Sequence, residues 1–112
     1  MRRRYIAVRV DSFQVPDRRN LQDAVWTSIL KLFGEYGASQ TELTLVQYDP
    51  QEKVAILRCS HKALDMVKAS IAAVREVNRE EAALHILFVS GTLRSLRKKI
   101  QNVMKQETVP QP

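Results

Sequence analysis

The chain has a single cysteine, Cys59. One thiol cannot close an internal disulfide or supply a zinc pair, so neither a disulfide framework nor a structural metal holds this fold. Beside Ile56 and Leu57, Cys59 reads as a small buried hydrophobe. Histidine is almost as scarce: His61 and His85 fall on different elements. With three glycines there is no glycine-rich phosphate loop, and no metal-ligand spacing or Cys–His–Asp set can be assembled. Asp11, Asp49 and Asp65 are scattered and suit turns or a helix surface. No stretch approaches the roughly 20 apolar residues of a membrane span. The short run Tyr5 to Val8, behind Arg2-Arg3-Arg4, is broken by Arg9 and is too brief for a signal peptide. A cytoplasmic location is expected, with no membrane contact. The pattern offers no catalytic residue and no metal ligand.

What is present is an ordinary globular composition, 45% apolar and 27% charged over 112 residues. That length fits one domain, expected over residues 1–106, with a polar, proline-bearing tail at 107–112 expected to be disordered. The net charge is +6, and its placement matters more than its size. Residues 1–9 carry Arg2, Arg3, Arg4 and Arg9 with no acid. Residues 91–112 carry Arg94, Arg97, Lys98, Lys99 and Lys105 against Glu107 alone, while the stretch between has more acids than bases. All the excess charge sits at the two ends, which suits a polyanionic partner or, equally on charge alone, a solubilising surface.

Hydrophobic periodicity gives the elements. Residues 3–11 alternate as a strand, with Ile6, Val8 and Val10 on one face. Asn20 can cap a helix whose apolar stripe is Leu21, Ala24, Val25, Ile29, Leu32, Phe33 and Tyr36, stopped by Gly34 or Gly37. Strands at 42–49 and 53–59 join through a type I turn at Asp49-Pro50. Ser60 can cap a second helix, 61–77, with Leu64, Val67, Ile71 and Val74 along one side. A strand at 83–90 precedes Ser90-Gly91-Thr92 and a third helix with Leu93, Leu96, Ile100 and Val103 or Met104 as its apolar edge. The order β-α-β-β-α-β followed by a helix predicts an α/β sandwich, a ferredoxin-like antiparallel sheet with an added basic C-terminal helix. The third and fourth strands are apolar on both faces, so both faces of the sheet are expected to be covered.

Two features point to nucleic acid. Arg94, Arg97, Lys98, Gln101 and Lys105 recur at helical spacing as one polar face, and residues 91–106 contain no acid. Gly91 and Thr92 open that helix, where unpaired N–H groups can receive a phosphate or simply be capped. Candidate RNA contacts are therefore Arg3, Arg4 and Arg9 from the N-terminal end, Gly91 and Thr92 at the helix start, and Arg94, Arg97, Lys98, Lys99 and Lys105 beyond it. The third strand, Lys53 to Cys59, has no aromatic and the first has only Tyr5. Contact with phosphates and RNA shape therefore fits better than base stacking on the sheet. Trp26 is assigned to the core or to a partner-facing surface.

Three stretches carry a resemblance to a known family. Arg4-Tyr5-Ile6-Ala7, Leu32-Phe33-Gly34-Glu35-Tyr36-Gly37 and Val89-Ser90-Gly91-Thr92-Leu93-Arg94 resemble ribonuclease P protein component 2, the archaeal form of a subunit shared with eukaryotes. The last stretch is the most specific, and the likeness spans about Arg4 to Gln101. It implies a part in removing the 5′ leader from precursor tRNA, with ribonuclease P RNA carrying the chemistry and its Mg2+. It also implies a complex with ribonuclease P protein component 3, in assemblies holding two copies of each. One departure is the loop from Asn78 to Ala82, which lacks the glycine often found before the last strand. The competing readings are a ferredoxin-like protein-interaction or regulatory module whose basic ends serve solubility, and a free-standing nuclease.

Overall fold

The structure is a computed structural model describing residues 2–108, with side chains in the last helix described as far as Val103. The elements are β1 (Arg3–Ser12), α1 (Arg18–Ser39), β2 (Thr44–Asp49), β3 (Val54–Ser60), a 3-10 turn (His61–Ala63) leading into α2 (Leu64–Ala72), β4 (Glu76–Val77), β5 (Glu80–Ser90) and α3 (Leu93–Thr108). The sheet runs β2-β3-β1-β5-β4, each neighbour antiparallel. Without the two-residue β4, this is the ferredoxin-like order that the alternation of elements predicts. The expected tail at 107–112 overlaps the last residues of α3, and 109–112 lie outside the described residues. No described helix is long and apolar enough to cross a membrane.

The alternation in β1 decides the layering. Ile6, Val8 and Val10 point to one side and join Leu21, Val25 and Ile29 of α1, Leu57 of β3, and Val67 and Ile71 of α2 in the main core. The opposite face buries Ala7, Ile56 and Leu96 of α3, with Tyr5, Val46, Leu87, Phe88, Leu93 and Ile100 packed around them. Ile56 and Leu57 are thus both buried, on opposite faces. Two bulges complete the second layer. β1 pairs Ala7 with Phe88 but Val8 with Ile86, so Leu87 is the extra residue. Likewise β2 pairs Leu45 with Leu57 and Gln47 with Ile56, leaving Val46 over. A bulge lets consecutive residues escape strict alternation. That is how Leu87 and Phe88, neighbours in sequence, both reach the α3 layer.

Several local expectations are corrected. α1 begins at Arg18, not after Asn20: Asp17 is the cap, and its carboxylate accepts the Asn20 N–H at 2.8 Å. α1 breaks at Gly34, where φ is +74°, a backbone angle that favours glycine. Leu32, Phe33 and Tyr36, on either side of that break, are exposed instead of completing the core stripe, and Trp26 is 38% exposed. The second helix ends at Ala72, well short of 77. Val74 and Val77 are still buried and continue a three-residue spacing, so a loop and a strand imitate the helical stripe. Asn78 and Arg79 take positive φ of 52° and 68°, closing a tight β4–β5 turn without glycine. Ser60 makes no cap bond; its hydroxyl donates to the Gln40 carbonyl at 2.8 Å. The Asp49-Pro50 turn holds, with the Asp49 carboxylate accepting the Gln51 and Glu52 N–H groups at 3.1 and 3.3 Å.

Candidate nucleic-acid interface

The last helix is assembled from a cap and an apolar edge. Thr92 Oγ1 accepts the Ser95 N–H at 3.2 Å, and Ser90 Oγ accepts the Thr92 N–H at 3.3 Å, satisfying donors that a helix start leaves open. Leu96 is wholly buried against the sheet, with Leu93 and Ile100 a turn to either side. That contact fixes the helix about its own axis and turns Arg94, Arg97, Lys98, Lys99 and Gln101 outward, where all are exposed. Arg97 Nη2 donates to Gln47 Oε1 at 2.7 Å, so its guanidinium lies towards β2. Among the described residues the only basic side chain within ion-pair distance of a carboxylate is His85, beside Asp11. The cations of α3 therefore have no carboxylate partner there. Exposed like charges along one helix repel unless anions lie between them. The Lys105 side chain lies outside the described residues.

Arg4, Gly91 and Thr92 come together at the sheet end where β1 starts and β5 stops, since Tyr5 pairs with Ser90. The Arg4 guanidinium is packed against Gly91: a Cβ there would sit 3.2 Å from Arg4 Nη1. Glycine thus leaves room for the close approach of an arginine, and the helix start gains a cation. Arg3 is beside it, its carbonyl accepting from Arg4 Nη1 at 3.3 Å. Arg9 is not part of this group. It is exposed about 20 Å along the strand and shares a small cavity with Glu52, Val54 and Val103. Arg58 was missed from the sequence. It alternates with Ile56 and pairs with both Tyr5 and Thr44, which sets it on the α3 face of the sheet, half-exposed. Its strand alternation was the available signal.

Tyr5 packs into the α3 layer, so its ring is a filler and not a platform for a base. Burial pushes the Cys59 thiol up to about 11, and nearby Arg4 offsets only part of that, so it stays protonated at neutral pH. His85 Nε2 lies 3.6 Å from Asp11 Oδ2, with both side chains largely in solvent. No group of three or more His, Cys, Asp or Glu residues among the described ones could hold a metal ion.

A ferredoxin-like sheet covered on both faces, with a helix whose outward face is basic forming one cover, defines a small α/β sandwich that displays a charged surface. The family model for the Rpp14/Pop5 family matches residues 4–101, and the chain belongs to that family. It is 30% identical over 98 residues to ribonuclease P protein component 2 of Pyrococcus furiosus, covering 88% of this chain and 82% of that one. The same identity holds over 105 residues for ribonuclease P protein component 2 of Methanobrevibacter smithii, at 88% coverage of both. A chain in the cryo-EM structure of yeast ribonuclease MRP has the same fold, with a TM-score of 0.69 at 18% identity over 95% of this chain and 93% of that one.

Proposed function

We propose that the chain is a protein subunit of ribonuclease P that binds the catalytic RNA and a partner protein during removal of the 5′ leader from precursor tRNA in the cytoplasm. The observation that carries this reading is the α3 surface: exposed Arg94, Arg97, Lys98 and Lys99 without a described carboxylate within ion-pair distance, in a chain whose relatives are named ribonuclease P protein component 2. Arg3, Arg4, Gly91 and Thr92 extend that surface around the helix start, and Arg9 and Lys105 are its outlying members. Phosphates supply most of the affinity in such contacts, and little of it depends on sequence.

The protein itself is non-catalytic in this proposal, and RNA holds the magnesium that phosphodiester hydrolysis requires. The partner is ribonuclease P protein component 3, two copies with two of this chain. Support for a protein partner comes from α1, where Trp26, Leu32, Phe33 and Tyr36 expose apolar surface on the far side of the sheet from α3. Reconstitution tests the reading. Omitting this chain lowers leader cleavage by the RNA and its other proteins. Restoring it as the Asp11→Asn/His85→Ala variant brings the rate back to within a few-fold of wild type. A thousand-fold loss with folding intact would reveal side-chain acid–base catalysis and overturn the RNA-centred assignment.

A further inference from the structure

Pairing of β1 with β3 gathers charge that the sequence keeps apart. Arg3 pairs with Ser60 and Arg4 with Cys59, and the His61 N–H donates to the Arg2 carbonyl at 3.0 Å. Arg2 is thereby held beside His61 and Lys62, which open the turn into α2. These residues border a cleft of about 740 Å3, completed by Gln40, Glu42 and Met66 among others. That volume is in the range of small-ligand sites, roughly 300–1,000 Å3. The cleft is amphipathic: Met66 and Ala63 supply apolar lining, Arg2, His61 and Lys62 the basic groups, and Glu42 is the one acid.

Its walls are built before any ligand arrives. Ser60 N–H donates to the Thr41 carbonyl at 2.8 Å and Ser60 Oγ to the Gln40 carbonyl at 2.8 Å. Thr41 Oγ1 donates to the Ala38 carbonyl at 2.8 Å. Glu42 is held at φ +49°, an uncommon angle for a residue with a side chain, which costs energy and persists only where its surroundings enforce it.

We propose that this cleft receives one unpaired nucleotide of the RNA, its base against Met66 and Ala63 and its phosphates on Arg2 and Lys62. The inference rests on the RNA-binding reading and extends it around the sheet end from Arg4 and Gly91. Bases that proteins read in RNA are the unstacked ones of loops, bulges and ends. In this molecule the sheet face that could have stacked such a base is closed by α3. An amphipathic cleft at the sheet end where β1 starts, bordered by Arg2, offers such a base both apolar lining and cations. Charge favours a polyanion over a protein segment, because three of its polar groups are cationic or can become so and one is acidic.

The test uses the full chain and a transcript of ribonuclease P RNA containing 4-thiouridine. Photo-crosslinks mapped by mass spectrometry fall on the segment His61 to Met66, and the Arg2→Gln/Lys62→Gln variant loses them. That variant, changed only at exposed positions, keeps the wild-type thermal transition. Its slope of log affinity against log salt falls by roughly 0.7–0.9 for each phosphate contact removed. Crosslinks confined to α3, with an unchanged slope in the double variant, overturn the cleft and leave the α3 surface standing. Retained RNA affinity with loss of a partner protein also overturns it, making the cleft a protein site. Failure of the wild-type chain to bind the RNA in a salt-dependent way overturns the RNA-binding reading itself.

Discussion

The two faces of the sheet are held in different ways. The α1/α2 face buries residues from both helices and all five strands in one continuous cluster. The α3 face buries three residues completely and seals their edge with half-covered ones. The second is rimmed by the basic stripe of α3. A large core can tolerate nothing charged nearby without compensation, whereas a narrow apolar strip under one helix leaves most of that helix free to present cations. The first face therefore makes the fold, and the second is a surface that the fold displays.

Replacing one leucine on each side puts the comparison at its greatest risk. Leu57→Ala, within the main core, is expected to cost about 4–5 kcal/mol, the upper part of the range for buried leucines. Leu96→Ala is expected to cost about 2–3 kcal/mol, since a single helix can settle into the space left behind. Urea unfolding of the two variants measures both. Equal costs would show that α3 belongs to the folding core, and the distinction between the faces would collapse.

A smaller effect on stability, but a large one on binding, is expected for the Arg94→Ala/Arg97→Ala/Lys98→Ala variant. These side chains are exposed, so stability stays within about 0.5 kcal/mol of wild type. The slope of log affinity for the RNA against log salt falls by about two units if all three touch phosphates. Binding that is unchanged at every salt concentration would reduce the rim to a solvated surface.

The sheet and its two-sided burial were legible because strand alternation is local: Ile6, Val8 and Val10 against Ala7, and Ile56 beside Leu57, state their faces without help. The third helix was legible for the same reason, its apolar edge and acid-free face following one period. What could not be read depended on pairing. The bulges at Leu87 and Val46 exist only relative to a neighbouring strand. Val74 and Val77 keep helical spacing although the chain has left the helix. Asn20 looked like a cap because the true cap, Asp17, precedes two arginines that carry no apolar signal. On the candidate site, the α3 cations were readable from sequence, but Arg58 and the approach of Arg4 to Gly91 needed the strand register. Arg2 meets His61 and Lys62 only because β1 pairs with β3. Leu32, Phe33 and Tyr36 keep the spacing of the apolar stripe and yet lie exposed, because periodicity names a helix face without saying what covers it.

The finest probe of the difference between the faces is Gly91→Ala. The added Cβ would lie 3.2 Å from Arg4 Nη1 and would meet no other described side chain within 4 Å. The neighbour that must yield is the far end of a flexible arginine, so the main core is untouched. Loss of glycine also restricts the unfolded chain, which by itself stabilises by about 0.4–1 kcal/mol. The two small terms oppose each other, and the thermal transition is expected to move little. The guanidinium, however, is pushed back from the start of α3, and the salt slope for RNA binding falls by at most about 0.9, one phosphate contact. Arg4→Gln removes the same contact directly. If glycine acts by admitting the arginine, the Arg4→Gln/Gly91→Ala double variant binds no worse than Arg4→Gln alone, because both changes act through one group. Additive losses in the double variant would mean that Gly91 contacts the RNA through its own backbone, and the basic rim would then include the peptide at the helix start as well as the side chains around it.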